Sequence, residues 1–228
     1  MKTITDIINH LIKRNNYKTY LEIGVRDSRK NFDKIEARYK TGVDPDPLFI
    51  NEKTKRKTDP IVKHYKITSD EFFKGIVESR SITYDLIFID DLHEEKQVTK
   101  DIQNSLLCLN EGGSIVVHDC NPPTEWHQRS VEEFEQSGKS GDWNGTVWKG
   151  FCNFRHRSDL FMRTVDVDWG VGIIQQIPID SIFLDSDDTK LSSNPIMITA
   201  PEMNYKNFSE NRSEWLNLIS TKDFLATF

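Results

Sequence analysis

The sequence predicts a Rossmann-like α/β fold: a doubly wound, mostly parallel sheet of about seven strands with helices on both faces. The first observation is that short apolar runs alternate with stretches of helical periodicity over the first half of this 228-residue chain. That alternation is the pattern of successive strand–helix–strand units. The second observation is that residues 86–89 and 115–117 are apolar without interruption, as in strands that helices cover on both faces.

This interpretation places the whole chain in one domain. We expect residues 1–16 to form an N-terminal helix packed on the domain and residues 17–178 to form its ligand-binding core. Residues 179–228 then form a loop and a C-terminal helical extension of the same domain. A chain of this length fits a single α/β domain with an extension.

The first half of the chain supplies the elements nearest the N-terminus. Isoleucine and leucine recur at helical spacing from Ile4 to Ile12 and predict an amphipathic first helix. The elements expected after it are strands at 19–23, 41–44 and 61–67 and a helix near 32–39. Thr68 and Glu71 stand three residues apart, as a capping box requires, so a further helix is expected to begin there.

The second half of the chain begins with the clearest strand, at 85–90. A helical repeat over 98–109 follows it, and the Gly112–Gly113 pair turns the chain into a strand at 114–117. The elements expected beyond residue 120 are a helix at 147–154, strands at 160–165 and 171–177, a polar loop at 180–194 and a closing helix at 213–219.

Charge and composition argue against several classes of function. The formal net charge of -6 offers no positive surface to a nucleic acid, and we interpret the one dense basic run, at 53–57, as a solvated loop. No segment approaches the ~20 apolar residues of a membrane span, and the N-terminus lacks the apolar core of a secretion signal. Three scattered cysteines suit a reducing compartment. We therefore expect a cytoplasmic protein whose partner is a small molecule, not a nucleic acid or a membrane, and whose oligomeric state stays open.

Ionisable residues follow the predicted strands one after another. The first strand carries Glu22, the second ends at Asp44, the fourth ends at Asp90, and the fifth is followed by His118 and Asp119. In an open α/β sheet, ligands bind outside the carboxyl ends of the strands. Any one of these acids could instead cap a loop or a helix, but their succession predicts a functional site at this edge.

The turn after the first strand narrows the class of ligand that this site can bind. Residues 22–28 contain one glycine and two acids, whereas a dinucleotide needs glycine-rich backbone near its pyrophosphate. Two carboxylates would repel a pyrophosphate and attract the cationic groups of S-adenosylmethionine (SAM). Asp44 lies 22 residues after Glu22, near the ~20 at which an acid reaches ribose hydroxyls in such folds. This turn favours a cationic nucleoside and disfavours an NAD-dependent oxidoreductase.

Five stretches, spread over roughly residues 17–175, together carry a family resemblance. They are residues 20–25, 42–47, 88–93, 112–120 and 143–149. In this order they resemble the class I SAM-dependent methyltransferases, in particular the methyltransferase 24 subgroup related to sugar and catechol O-methyltransferases.

The resemblance assigns roles at the cofactor edge. It implies that Glu22 and Gly24 hold the methionine end of SAM, that Asp44 binds its ribose, and that Ser69 and Asp70 flank its adenine. The sequence departs from the family's pattern at one position of this edge. At position 28 the chain carries a serine where the family's glycine-rich turn usually has a further glycine.

The resemblance also assigns catalytic and metal-binding roles. The resemblance assigns Asp90 to the cofactor-binding residues and also to the catalytic residues. His93 occupies the place of the general base proposed for the sugar methyltransferases. Asp90 and Asp119 match two of the three acids that hold magnesium in metal-dependent relatives, and His118 replaces the third. A divalent metal, Mg or Mn, therefore stays open, as does the alternative that His93 only caps the next helix.

The expected function is O-methylation of a hydroxyl on a sugar or another small polar acceptor. The alternative is a catalytically silent SAM-binding module with a regulatory or structural role, which the departures at Ser28 and His118 keep open. Whether the methyl goes to oxygen or to nitrogen is not decided by these residues.

Overall fold

A computed structural model describes the chain over residues 1–48, 60–178 and 194–228. The chain divides into two units, the first comprising Met1–Leu92 and Asp101–Val116 and the second His93–Lys100 and Val117–Phe228. The basic run at 53–57, and all of the polar loop predicted at 180–194 except its last residue, lie outside the described residues.

The first unit is built on five strands. They are β1 (Thr19–Ile23), β2 (Tyr39–Val43), β3 (Ile61–Tyr65), β4 (Tyr84–Ile89) and β5 (Leu109–Val117, all but its last residue in this unit). Their order is β3-β2-β1-β4-β5, and β1 pairs in parallel with both β2 and β4, as β2 does with β3. The sheet thus grows outward from β1 in both directions, which confirms the predicted doubly wound fold.

The register of these strands places their carboxyl ends side by side. Ile23 at the end of β1 lies opposite Val43 on one neighbour and Ile89 on the other. The residues that follow the three strands therefore come together at one edge of the sheet: Gly24, Asp44 and Asp90. This edge is where the sequence placed the cofactor.

Helices complete the first unit. α1 (Ile4–Asn15) begins at a capping box between Thr3 and Asp6 and buries the predicted isoleucine and leucine face. The predicted box at Thr68 and Glu71 also forms. It starts one continuous helical stretch, whose parts are α2 (Ser69–Phe72), a π-helical turn (Phe73–Val77) and α3 (Glu78–Arg80). α4 (Glu95–Leu107) contributes residues to both units.

The helix predicted near 32–39 is wrong. Only a 3₁₀ turn, Phe32–Lys34, forms there, and Ile35 has already returned to an extended conformation. Ile35 and Ala37 are buried while Glu36 between them is exposed, so this segment follows the two-residue period of extended chain.

The second unit contains the remaining strands and helices. β6 (Leu160–Val165) pairs antiparallel with β7 (Val171–Gln176) and parallel with β8 (Leu218–Ile219). The helices are α5 (Val131–Gln136), α6 (Val147–Cys152), α7 (Tyr205–Trp215) and α8 (Thr221–Thr227). With β8, the described residues form eight strands, one more than the seven or so predicted. Among the described segments, no helix is both long and apolar enough to cross a membrane.

The closing helix predicted at 213–219 is also wrong. α7 starts earlier and ends at Trp215, Asn217 takes a left-handed conformation with φ 48°, and β8 follows it. The buried Arg155 explains this change of direction, because its guanidinium donates to the carbonyl oxygens of Trp215 and Asn194 at 2.9 Å each. Such hydrogen bonds hold the C-terminal segment against the rest of this unit.

Candidate active site

Gly24 lets the backbone at the end of β1 lie against the backbone at the end of β4 in the first unit. Its φ is +89°, and a Cβ at this position would stand 2.2 Å from the carbonyl oxygen of Asp90 and 2.8 Å from the Cα of Asp91. Its N–H donates to the carbonyl oxygen of Val43 at 2.9 Å. Only glycine permits both this conformation and this approach, so the predicted cofactor residues Gly24 and Asp90 are neighbours through their backbones.

Asp44 organises the turns that follow β1 and β2. One carboxylate oxygen accepts the N–H of Arg26 at 2.7 Å and the other accepts the N–H of Asp46, also at 2.7 Å. Arg26 takes a left-handed φ of 36° in that turn. A carboxylate oxygen can accept more than one hydrogen bond, so Asp44 retains acceptor capacity while it shapes these turns.

Glu22 is buried beneath this edge, with 2% of its surface exposed. One of its carboxyl oxygens accepts hydrogen bonds from Asn31, at 2.9 Å, and from the hydroxyl of Tyr20. Burial, which outweighs the opposing effect of the two hydrogen bonds, together with the negative charge of Asp90, raises the pKa of Glu22 to about 8. At neutral pH this carboxyl is therefore mostly protonated.

Ser69 and Asp70 occupy the first turn of α2, on the segment that follows β3. Ser69 is buried, with 2% of its surface exposed. Their contact with adenine stays a prediction, and the same holds for the roles assigned to Glu22 and Asp44.

In the second unit, His93 and Asp119 form a close pair. Nδ1 of His93 lies 3.3 Å from Oδ2 of Asp119, and Oδ1 of Asp119 accepts a hydrogen bond from Nδ2 of Asn144 at 2.8 Å. Both members of the pair have left-handed backbones, with φ of 55° at His93 and 61° at Asp119. Such strained residues cluster at functional sites, where the surrounding structure holds them in place.

The segment after Asn144 holds His93 in its position. Gly145, with φ +61°, lies so close that an added Cβ would stand 2.1 Å from the carbonyl oxygen of His93. That oxygen accepts the N–H of Thr146 at 2.9 Å. The hydroxyl of Thr146 accepts the N–H of Glu95, the first residue of α4, at 2.7 Å. Thr146 thus supplies a capping contact at the start of α4, while the imidazole of His93 faces Asp119.

Aromatic stacking fixes the plane of the His93 ring. The rings of His93 and Trp143 stack with centroids 5.0 Å apart, and Trp143 stacks in turn on Phe134 at 4.3 Å with an interplanar angle of 3°. Nε1 of Trp143 donates to the backbone carbonyl of Arg129 at 2.8 Å. The base candidate therefore has one planar wall, a defined tilt and a carboxylate partner.

His118 flanks the same carboxylate from another direction. Its Nε2 lies 2.9 Å from the carbonyl oxygen of Asp168, and its Nδ1 lies 3.7 Å from Oδ2 of Asp119. Since a carbonyl oxygen can only accept, Nε2 of His118 donates this hydrogen bond. A histidine that ligates a metal usually donates its other ring N–H in this way, and the role of His118 as a ligand stays a prediction.

Sequence reasoning missed two residues of this site, Asn144 and Arg129. Asn144 lies in the stretch that carried part of the family resemblance, and the Asn144–Gly145 pair is a turn signal in its own right. Asn144 and Asp119 are 25 residues apart in the sequence, so no local pattern could predict their contact. Arg129 lies in a segment whose sequence has neither helical nor strand periodicity, so no local pattern could have identified it.

Known proteins resemble the chain in two ways. The family model described as "Methyltransferase domain" matches residues 10–120, a segment that includes every predicted cofactor and metal residue. Among solved structures, the O-methyltransferase TomG from Streptomyces achromogenes, involved in tomaymycin synthesis and solved in complex with SAM, is 12% identical over 76% of this chain and 79% of its own, with a TM-score of 0.50. A protein from Corynebacterium glutamicum is 12% identical over 76% of this chain and 80% of its own, with a TM-score of 0.51. At these identities the two structures establish a shared fold. No curated protein matched the sequence.

The buried Glu22 makes stability depend on pH in a direction that can be tested. In the unfolded chain this carboxyl ionises near its ordinary pKa of 4.5, whereas in the folded protein it keeps its proton to about pH 8. Between those values the folded state binds more protons, so its stability falls as pH rises. We expect the free energy of unfolding of the parent, minus that of Glu22→Gln, to fall by about 1 kcal/mol per pH unit across this window.

Urea unfolding of both proteins from about pH 5 to about pH 8 measures this difference, and other titrating groups cancel in the subtraction. Parallel stability curves for the two proteins would show that Glu22 ionises normally in the folded state.

Proposed function

We propose that the chain, which is a class I SAM-dependent methyltransferase, methylates a hydroxyl group of a small acceptor, a sugar or another small polar molecule. The observation that carries this proposal is the pair of His93 and Asp119, held by Asn144. A histidine whose imidazole faces a buried carboxylate is suited to take a proton from a hydroxyl near neutral pH.

The first unit supports the cofactor part of the proposal. The backbone approach at Gly24 leaves no side chain at the end of β1, and Asp44 offers acceptor oxygens beside it. Bound SAM would supply the methyl group to the acceptor oxygen and leave as S-adenosylhomocysteine. Its ammonium group near Glu22 would favour the ionised carboxylate and lower the pKa of that group.

The second unit supports the proton transfer. We infer that His93 accepts the hydroxyl proton and becomes an imidazolium, whose charge Asp119 stabilises at 3.3 Å. Asn144 fixes the rotamer of Asp119, and the stack on Trp143 fixes the ring of His93. Most of the rate enhancement then comes from orientation of donor and acceptor, as in other two-substrate transfers.

A divalent metal, which the sequence predicts at Asp90, His118 and Asp119, belongs to the proposal as a second way to deprotonate the acceptor. The donor set of two carboxylates and one imidazole suits manganese better than magnesium, because an imidazole nitrogen is a softer ligand than oxygen. A bound ion would lower the pKa of a hydroxyl that coordinates it.

The ribose assignment predicts how SAM stabilises the protein. SAM should raise the melting temperature, since a ligand that binds only the folded state stabilises it by about 2.7 kcal/mol at a hundredfold excess over its Kd. Asp44→Ala should abolish most of this shift because the ribose acceptor is lost. Asp46→Ala is the matched control, since only the backbone of Asp46 takes part in the turn. Equal SAM affinity of parent and Asp44→Ala in calorimetric titration would contradict the ribose assignment.

The base assignment predicts a separation of binding from turnover. His93→Ala should keep SAM affinity nearly intact and lower turnover by roughly 10²–10⁴-fold, the usual effect of losing a general base. Turnover is followed by S-adenosylhomocysteine release with an acceptor found by screening hydroxyl compounds. His156→Ala, an exposed histidine of the same unit, should leave both quantities unchanged.

Two other results would point elsewhere. Normal turnover of His93→Ala, together with loss of activity in parent protein treated with EDTA, would assign deprotonation to the metal. SAM binding without release of S-adenosylhomocysteine on any acceptor in the screen would favour the catalytically silent module.

A further inference from the structure

Arg129 is a buried cation with few partners. Its exposed fraction is 6%, and its one side-chain hydrogen bond runs from Nη2 to the carbonyl oxygen of Ser140 at 3.0 Å. Within the described part of the chain, no acceptor lies within hydrogen-bond distance of Nε or Nη1. A guanidinium has five N–H donors, and leaving buried donors of a charged group unsatisfied destabilises a protein.

Aromatic rings enclose this guanidinium. Its Cζ lies 3.5 Å from the ring centroid of Trp126 and 5.5 Å from that of Phe134. Trp126 is 52% exposed, so its indole covers the cation from the solvent side. A cavity of about 520 Å³ opens at this place, lined by Glu125, Trp126, Gln128, Arg129, Glu133 and Gln136.

The two glutamates of the lining do not neutralise Arg129. In the part of the chain that the structure describes, no carboxylate lies within the 4 Å of an ion pair with it. Glu133 is engaged in the capping box of α5, where one of its oxygens accepts the N–H of Ser130 at 2.7 Å. The guanidinium thus keeps the capacity to receive a carboxylate or phosphate, the groups whose geometry it matches best.

A series of ring contacts runs from Arg129 to the proposed base. Arg129 contacts Phe134, Phe134 stacks on Trp143, and Trp143 stacks on His93. All of these residues belong to the second unit. An acceptor long enough to span these rings could place a hydroxyl at His93 and an anionic group at Arg129.

We propose that the methyl acceptor carries a carboxylate or phosphate group and that Arg129 is the residue that recognises it. Trp126 would swing from the guanidinium as the anion enters, and the anion would satisfy the donors that the protein leaves unpaired. This inference rests on the proposed function, since it names the class of acceptor for the same reaction. Arg129 acts here in specificity, at a distance from the transferred methyl group.

The test compares acidic probes with neutral analogues of similar size. Calorimetric titrations use 3,4-dihydroxybenzoate against catechol for a carboxylate, and phenyl phosphate against phenol for a phosphate. The parent should bind at least one of the two acidic probes at least tenfold more tightly than its neutral analogue, as expected for a charge-assisted bidentate contact. Which acidic probe binds more tightly distinguishes the carboxylate from the phosphate.

Variants then assign the preference to one residue. Arg129→Gln should lose the preference for acids, while Arg129→Lys, which keeps the charge but not the planar fork, should retain part of it. Arg157→Gln is the matched control, since Arg157 is a cation of the same unit whose partner is Asp159. SAM affinity, measured on each variant, should stay at the parental value and also reports that the variant is folded.

Two results would overturn the inference: a parent without preference for either acid, or an unchanged preference in Arg129→Gln. Methyl transfer to an acidic acceptor that is insensitive to Arg129→Gln would also overturn it, while leaving the proposed function in place. Acid binding that depends on Arg129, in a protein that transfers no methyl group, would instead overturn the proposed function and retain the anion site.

Discussion

The carboxylate of Asp119 is the group on which the candidate active site depends. It is almost wholly buried, and a buried charge is stable only where polar groups surround it. Asn144 donates to one oxygen, and the Nδ1 atoms of His93 and His118 lie near the other. Three segments that are distant in sequence therefore converge on one side chain. A change at Asp119 would release both imidazoles and leave the amide of Asn144 without its acceptor.

Close backbone approaches make this convergence possible. Gly145 lets its segment lie against the carbonyl of His93, as Gly24 lets the end of β1 lie against Asp90 in the first unit. Each glycine also has a positive φ that other residues adopt only under strain. His93 and Asp119 have left-handed backbones as well. In these two residues that conformation is strained, and the neighbouring segments hold it in place. The site is thus preorganised by its loops and not by helices or strands alone.

Much of the fold follows from local pattern. β1 and β6 have the predicted bounds, because short, mostly apolar runs between turn residues are a direct signal of strands. The positions of Asp44 and Asp90 also follow, since each comes directly after a strand whose end could be predicted. The segment 32–39 could not be predicted, because its buried positions fit both a helix and an extended chain until the pairing of β2 decides between them.

The rest of the site depends on tertiary contacts that the periodicity of the sequence does not predict. Asn144 and Arg129 lie on irregular segments between β5 and α6. The role of Asn144 comes from a carboxylate 25 residues away, and that of Arg129 from rings that irregular backbone brings around it. Likewise β8 forms because its two residues pair with Thr164 and Val165 of β6, whereas locally they extend a helical pattern. Tertiary pairing overrides local propensity at these positions.

A double-mutant cycle tests most directly whether His93 and Asp119 act as one proton-accepting unit. Turnover is measured for the parent, His93→Ala, Asp119→Asn and the double variant, with SAM affinity determined for each as a check on folding. If the two residues act together, each single change lowers turnover strongly and the double variant loses little more than His93→Ala alone. Losses that multiply in the double variant would mean that the residues act independently, and would contradict the account.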